Sequence, residues 1–244
     1  MRYLNYFLLL SVSWACQKAP QRSCWKTAGP TQNLMVPLSS FTYLHIHPHI
    51  QVALVQDSMD FIEWQAGAHL LPFLSAEKDL DTLVLRNMNR CHFLRYGKEK
   101  ASVKVHFTEL KQLLLENSEL VKTNGVWQQN AFEFILKEGA GPIDLELSGT
   151  RAFVRNLYGW QAMKLSGNLS WVFADLDGSA TLDASDLSIS DSLLFTAASP
   201  KSSYFQTTGL LVKAQLHSIG NLYLKGLPSL LLKNEYSAGR VVVQ

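Results

Sequence analysis

The chain has 244 residues, with 22 Lys and Arg against 20 Asp and Glu, and 47% of its residues are hydrophobic. So even a charge balance provides no basic stripe to follow a phosphate backbone, which argues against nucleic acid as a partner. Three cysteines are too few for a disulfide framework, and after the first fourteen residues no apolar run approaches membrane-spanning length.

The N-terminus opens with a single positive charge at Arg2 and an apolar run from Tyr3 to Trp14, interrupted only by Asn5 and two serines. A run this short reads as a cleaved signal peptide over residues 1–15. Ala15 directly precedes Cys16, as in a bacterial lipobox, where the cysteine is diacylated and becomes the new N-terminus. Ser13 and Trp14 depart from that pattern, and an ordinary signal peptide with Cys16 as a bystander is the alternative. Either way the chain is exported. The segment 16–37 is polar and carries Pro20, Gly29 and Pro30, so it reads as a lipid-anchored tether before a body at 38–244. With Cys16 acylated, only Cys24 and Cys91 remain. The expectation is two unpaired thiols, with a Cys24–Cys91 bridge as the alternative.

From Leu38 onward the period is mostly two. Leu44, Ile46, Ile50 and Val52 fall on one face, and His45, His47, His49 and Gln51 on the other. Val103, Val105 and Phe107 alternate with Lys104 and His106. Phe132, Phe134 and Leu136 follow, then Ile143, Leu145 and Leu147, and the segment 210–216 continues the pattern. Gly, Ser, Asn and Asp punctuate the pieces, as expected of an all-β chain of short strands. Between Thr108 and Asn124 the leucines fit a helix about as well as a strand. Asn117 would interrupt the helical stripe, which favours strands or irregular structure there.

Weak repetition follows. Leu147-Ser148-Gly149 recurs eighteen residues on as Leu165-Ser166-Gly167, and Leu182-Asp183-Ala184 is a degenerate copy seventeen residues later. A repeat of that size suits one rung of a parallel β-helix, with rungs stacked about 4.8 Å apart. Each glycine would serve a corner that needs positive φ or close backbone approach. A β-sandwich with chance repeats is the competing architecture.

The stretch from Leu210 to Pro228, ending Leu222-Tyr223-Leu224-Lys225-Gly226-Leu227-Pro228, resembles the closing motif of the putative auto-transporter adhesin, head GIN domain family. That motif is a strand, a Ser-Gly-Ser-Gly turn, a short aromatic strand and Lys-Gly-x-Pro. The two Leu-Ser-Gly segments resemble the family's turns, and His69-Leu70-Leu71-Pro72-Phe73 with Asp81-Thr82-Leu83-Val84-Leu85 resembles its opening segment. The resemblance spans roughly residues 39–243. Ser166-Gly167-Asn168 and Ser218-Ile219-Gly220 stand where family members carry Gly-Ser-Gly turns. The resemblance implies a right-handed parallel β-helix, sometimes in two parts. It also implies an exported envelope protein, commonly a lipoprotein, of Gram-negative bacteria.

Candidate chemistry is sparse. His45, His47 and His49 on a regular strand would stand about 7 Å apart, a spacing open to a Zn²⁺ or Cu²⁺ ion. Pro48 interrupts the strand and no Cys, Asp or Glu is near in sequence, so a solvated polar face is expected and no metal is assigned. Asp175, Asp177, Asp183, Asp186 and Asp191 lack the ligand pattern of a calcium loop and read as turn residues. Asp144, Glu146, Arg151 and Arg155 read as the polar side of alternating strands rather than a catalytic group, and no nucleophile, zinc or phosphate motif occurs. No cofactor is implied. Among Trp64, Trp127, Trp160, Trp171, Tyr158, Tyr204 and Tyr223 most are expected in the core, with Tyr158 and Trp160 the candidates for a ligand surface.

These features read as a non-catalytic envelope lipoprotein, held to the membrane by Cys16, binding glycan or protein through an extended sheet surface. Periplasmic and surface-exposed placements fit the sequence equally. The alternatives are a β-helix enzyme acting on polysaccharide and a periplasmic partner in envelope sensing.

Overall fold

The computed structural model describes residues 27–92 and 100–244. The signal peptide, Cys16 and Cys24 lie outside the described residues. Eighteen strands succeed one another: β1 (Thr31–Pro37), β2 (Tyr43–Ile46), β3 (Ile50–Gln56), β4 (Phe61–Gly67), β5 (Leu74–Asp79), β6 (Thr82–Asn87), β7 (Ala101–Phe107), β8 (Gln112–Leu115), β9 (Val121–Thr123), β10 (Trp127–Leu136), β11 (Ile143–Asn156), β12 (Ala162–Leu176), β13 (Thr181–Ala197), β14 (Ser203–Gln206), β15 (Leu211–Leu216), β16 (Leu222–Lys225), β17 (Leu230–Glu235) and β18 (Val241–Val243). They form a β-solenoid of about seven turns.

Two long parallel walls enclose the core. The first stacks β8, the C-terminal parts of β10, β11, β12 and β13, then β15 and β17. The second stacks β9, the N-terminal parts of β11, β12 and β13, then β14, β16 and β18. Strands such as β11, 14 residues long, serve both walls by bending between them. Its inward residues are Ile143, Leu145 and Leu147 before the bend and Ala152 and Val154 after it. The parity of the alternation therefore slips at Ser148-Gly149-Thr150.

The repeat read from the sequence is not the structural period. Ile143 lies beside Met163, Met163 beside Leu182 and Trp171 beside Ser192, so the rung repeats every nineteen to twenty-one residues. Leu145 stands opposite Leu165, and Leu147 opposite Gly167. The two Leu-Ser-Gly segments are thus displaced by two residues along the stack. A slip of two keeps every leucine facing inward, which is why the repeat looked regular. The corner role of the glycine holds: Gly167 has φ +102°, and a β-carbon there would overlap the Leu147 carbonyl oxygen.

Threading at the N-terminal end is out of order. β2 pairs with both β6 and β8, and β3 with both β7 and β9, so the first rung in sequence is second in space. Antiparallel strands finish this end: β5 on β6, β4 on β7 and β1 on β4. The segment expected to be a tether up to residue 37 is therefore part of the folded body from Thr31. Its sheet pairing removes an open edge from β4.

The helix-or-strand ambiguity resolves into β8 and β9 around a buried corner. The Asn117 amide donates to the Ile50 carbonyl at 2.7 Å and to the Glu119 carbonyl at 3.2 Å, which accounts for a polar residue among leucines. One core cluster runs from Phe41 to Val241. Within it Trp127 meets Phe107, Phe132 and Phe134 edge-on, with centroids 5.2–5.7 Å apart. Truncating such a ring costs about 3–5 kcal/mol. At the far end, the inward positions of β17 turn polar: Lys233 stands in register with Ala214, and Glu235 with Leu216. Glu235 accepts from the Val241 N–H at 2.9 Å and pairs with Lys233 at 3.1 Å, capping the last rung.

Cys91, at φ +61°, is disulfide-bonded, which corrects the expectation of unpaired thiols. The Cys24–Cys91 bridge weighed as the alternative falls on Cys24, which lies outside the described residues.

Candidate binding surface

Outward positions on a solvated sheet are normally polar, because period-two alternation reserves the other face for the core. The first wall breaks that rule across β11, β12 and β13. In register, Phe153 lies beside Phe173 and Phe173 beside Leu194, while Arg151 lies beside Trp171. All of these point away from the core. Phe153 packs edge-on against Trp171, with centroids 5.0 Å apart, and Trp171 stacks on Phe173 at 6.3 Å. Exposed Arg151 and Arg155 flank Phe153 along its strand. In the next row stands Asp175, half-buried, its carboxyl held above the ordinary value by burial first and by the Asp177 charge next.

The β11–β12 corner adds two more rings. Tyr158 and Trp160 are 72% and 70% exposed, so both sequence candidates project into solvent. Their backbone is fixed: the Trp160 N–H donates to the Gly139 carbonyl at 2.8 Å, and the Ser179 N–H donates to the Gly159 carbonyl at 3.1 Å. Buried Gln161 donates to the Glu138 carbonyl at 2.7 Å. The rungs on both sides thus hold the corner while its aromatic side chains stay free. Of the other aromatic candidates, Trp64 and Trp127 are core, and Tyr204 stacks on Tyr223 at 5.1 Å on the second wall.

A separate groove of about 640 Å³ opens on the outer side of the second wall at its N-terminal end. Asn33 and Met35 of β1, Gln51 of β3, Gln65 of β4, and Ser102 and Lys104 of β7 contribute to it. The Lys104–Glu63 ion pair, 3.0 Å, crosses its floor.

The remaining sequence candidates separate. Asp144 and Glu146 lie on the second wall and Arg151 and Arg155 on the first, with the Gly149 bend between them, so these four do not converge. Asp183 accepts from the Ser185 N–H and hydroxyl at 3.1 and 2.6 Å, and Asp186 pairs with Lys164 at 2.7 Å. Asp183, Asp186 and Asp191 lie within β13 and Asp175 within β12, so four of the five aspartates are strand residues rather than the turn residues expected. His49, at φ +68°, turns away and stacks on His92 at 4.0 Å. His45 and His47 stay together with ring centroids 4.2 Å apart, closer than a regular strand allows, because the chain leaves β2 at His47.

Against both rings stands Glu116, at the end of β8. Its Oε2 is 3.5 Å from His45 Nε2 and 3.3 Å from His47 Nδ1, and its Oε1 is 2.6 Å from Lys137 Nζ. Burial holds both imidazoles below their ordinary value, with the His47 charge a further cause at His45. The Lys137 hydrogen bond holds the Glu116 carboxyl low. Among the described residues this is the one group of three metal-ligand side chains. Sequence spacing could not show it, since the parallel register of β2 on β8 joins positions about seventy residues apart.

The family model for the putative auto-transporter adhesin, head GIN domain, matches residues 40–228. The chain belongs to that family. Solved structures similar to this head GIN protein include a putative adhesin from Bacteroides fragilis, 13% identical with a TM-score of 0.79, covering 88% of this chain and 97% of that one. A putative adhesin from Parabacteroides distasonis is 14% identical with a TM-score of 0.64, covering 88% and 98%. A putative lipid binding protein from the same species is 14% identical with a TM-score of 0.65, covering 88% and 97%. At these identities the likeness is one of fold. No curated protein matches the chain. The adhesin-like family suggests an extracellular or envelope location for the head GIN protein. No helix among its described residues is long and apolar enough to cross a membrane.

Proposed function

We propose that the protein is a non-catalytic, lipid-anchored envelope protein that binds glycan chains through the outer face of the first wall and the adjoining corner. The observation that carries this reading is the outward cluster of Phe153, Trp171 and Phe173, with Tyr158 and Trp160 exposed at the corner that follows β11. Apolar rings in mutual contact on a rigid, solvated face serve as stacking platforms for the C–H faces of sugars, and the flanking arginines supply polar contacts. Because the strands hold the rings in place, little conformational entropy is lost on binding. The separation of Asp144 and Glu146 from Arg151 and Arg155 supports binding over polysaccharide cleavage, which needs converging carboxylates.

On a glycan array, Trp160→Ala should weaken retention about tenfold, the effect of losing roughly one stacking contact. Undiminished retention would remove Trp160 from the surface. Anchoring has its own readout. Intact mass of the membrane-expressed protein should show a diacylglycerol-sized increase that Cys16→Ser lacks; an unmodified chain would make this an exported protein without an anchor.

A further inference from the structure

His45 and His47 leave β2 on its outer side, and the Glu116 N–H donates to the Ile46 carbonyl at 3.0 Å, which sets Glu116 level with them on the neighbouring rung. We propose that His45, His47 and Glu116 form a binding site for a divalent transition-metal ion of the zinc class. One ligand atom from each residue lies within 4.8 Å of the other two. Two donors around a tetrahedral ion, with bonds of about 2.0–2.1 Å, stand about 3.3–3.4 Å apart. The two nitrogen-to-Oε2 distances, 3.5 and 3.3 Å, match that edge.

Three further observations fit an ion better than a plain His–Glu contact. The Nε2 atom of His45, which faces Glu116, is buried and has no hydrogen-bond partner. Leaving such an atom unpaired costs free energy that coordination would recover. Lys137 occupies only Oε1 of Glu116, so it orients the carboxylate with Oε2 toward the imidazoles, the part that outer-shell partners play at metal sites. All three side chains are partly open to solvent, at 17–25% exposure. A set of two imidazoles and one carboxylate suits zinc, nickel or copper rather than calcium or magnesium, which prefer oxygen. Three protein ligands leave a coordination position open, as in sites that engage an outside donor. The ion would also clamp β2 to β8, where the threading departs from sequence order.

The test uses the tag-free full-length chain, stripped with chelator and titrated with Zn²⁺ by calorimetry, with Co²⁺ absorption as a spectroscopic reading of coordination. The expected result is one equivalent bound per chain, a raised melting temperature, and a visible Co²⁺ spectrum of low-coordinate type. Glu116→Gln, which keeps the side-chain shape, and the His45→Ala/His47→Ala double variant should each bind at least tenfold more weakly. His217→Ala, whose ring stacks on Tyr236 elsewhere, should bind as wild type. Circular dichroism establishes that each variant is folded, and Glu116→Gln alone decides if the double variant is not. Absence of saturable binding overturns the proposal. So does wild-type affinity in Glu116→Gln, which would put the ion on other residues.

Discussion

Asp175 shows how single residues on this outer wall trade solvation for proximity to the aromatic cluster. Its raised carboxyl pKa means that the folded protein holds a proton more readily than the unfolded chain. That contribution to stability is complete below the ordinary value of 3.8 and is lost as pH rises through the folded value. Asp175→Asn should therefore raise the urea midpoint at pH 7 relative to wild type. The gain should shrink toward zero near pH 3, and a gain independent of pH would show that burial of the charge is not its source. Asn117 is the opposite case, a polar side chain wholly buried yet matched to two carbonyls. In the sequence it was only an interruption in a leucine stripe, because the partner at Ile50 comes from another rung. Glu116 is hidden for the same reason, and with it the carboxylate that the histidines lacked in sequence.

Individual strands were legible where one face is core. The inward residues of β2, β3, β7, the C-terminal half of β10 and the first half of β11 follow the alternation read from the chain. Register between strands was not, since side-chain parity repeats every two residues while a rung spans nineteen to twenty-one. The eighteen-residue Leu-Ser-Gly recurrence keeps parity and misses the rung. At β11 the phase slip at Gly149 turns Phe153 outward. Ala152 and Val154 on either side carried that signal, being small enough to face a core already filled by larger neighbours. The exposure of Tyr158 and Trp160 was readable from Gly159 between them, which marks a corner. The aromatic wall was not, because it is assembled from three strands.

At the scale of the whole molecule, the solenoid is closed at both ends by different means. β1, β4 and β5 cover the N-terminal end with antiparallel pairs, and the Lys233–Glu235–Arg240 group caps the other with charge. Between the caps the first wall is a continuous, rigid surface whose apolar outer patch contributes nothing to the core. That separation makes the central claim testable. In Phe153→Ser/Phe173→Ser, the core side chains are untouched, so the variant should stay folded, its melting temperature lowered only by the lost cross-strand ring contacts. The measurement is glycan retention of this variant against wild type on one array, with melting recorded for both. The account predicts a folded variant that has lost retention. A folded variant that retains glycan as wild type does would contradict it, and would leave the outer aromatic wall without a part in binding.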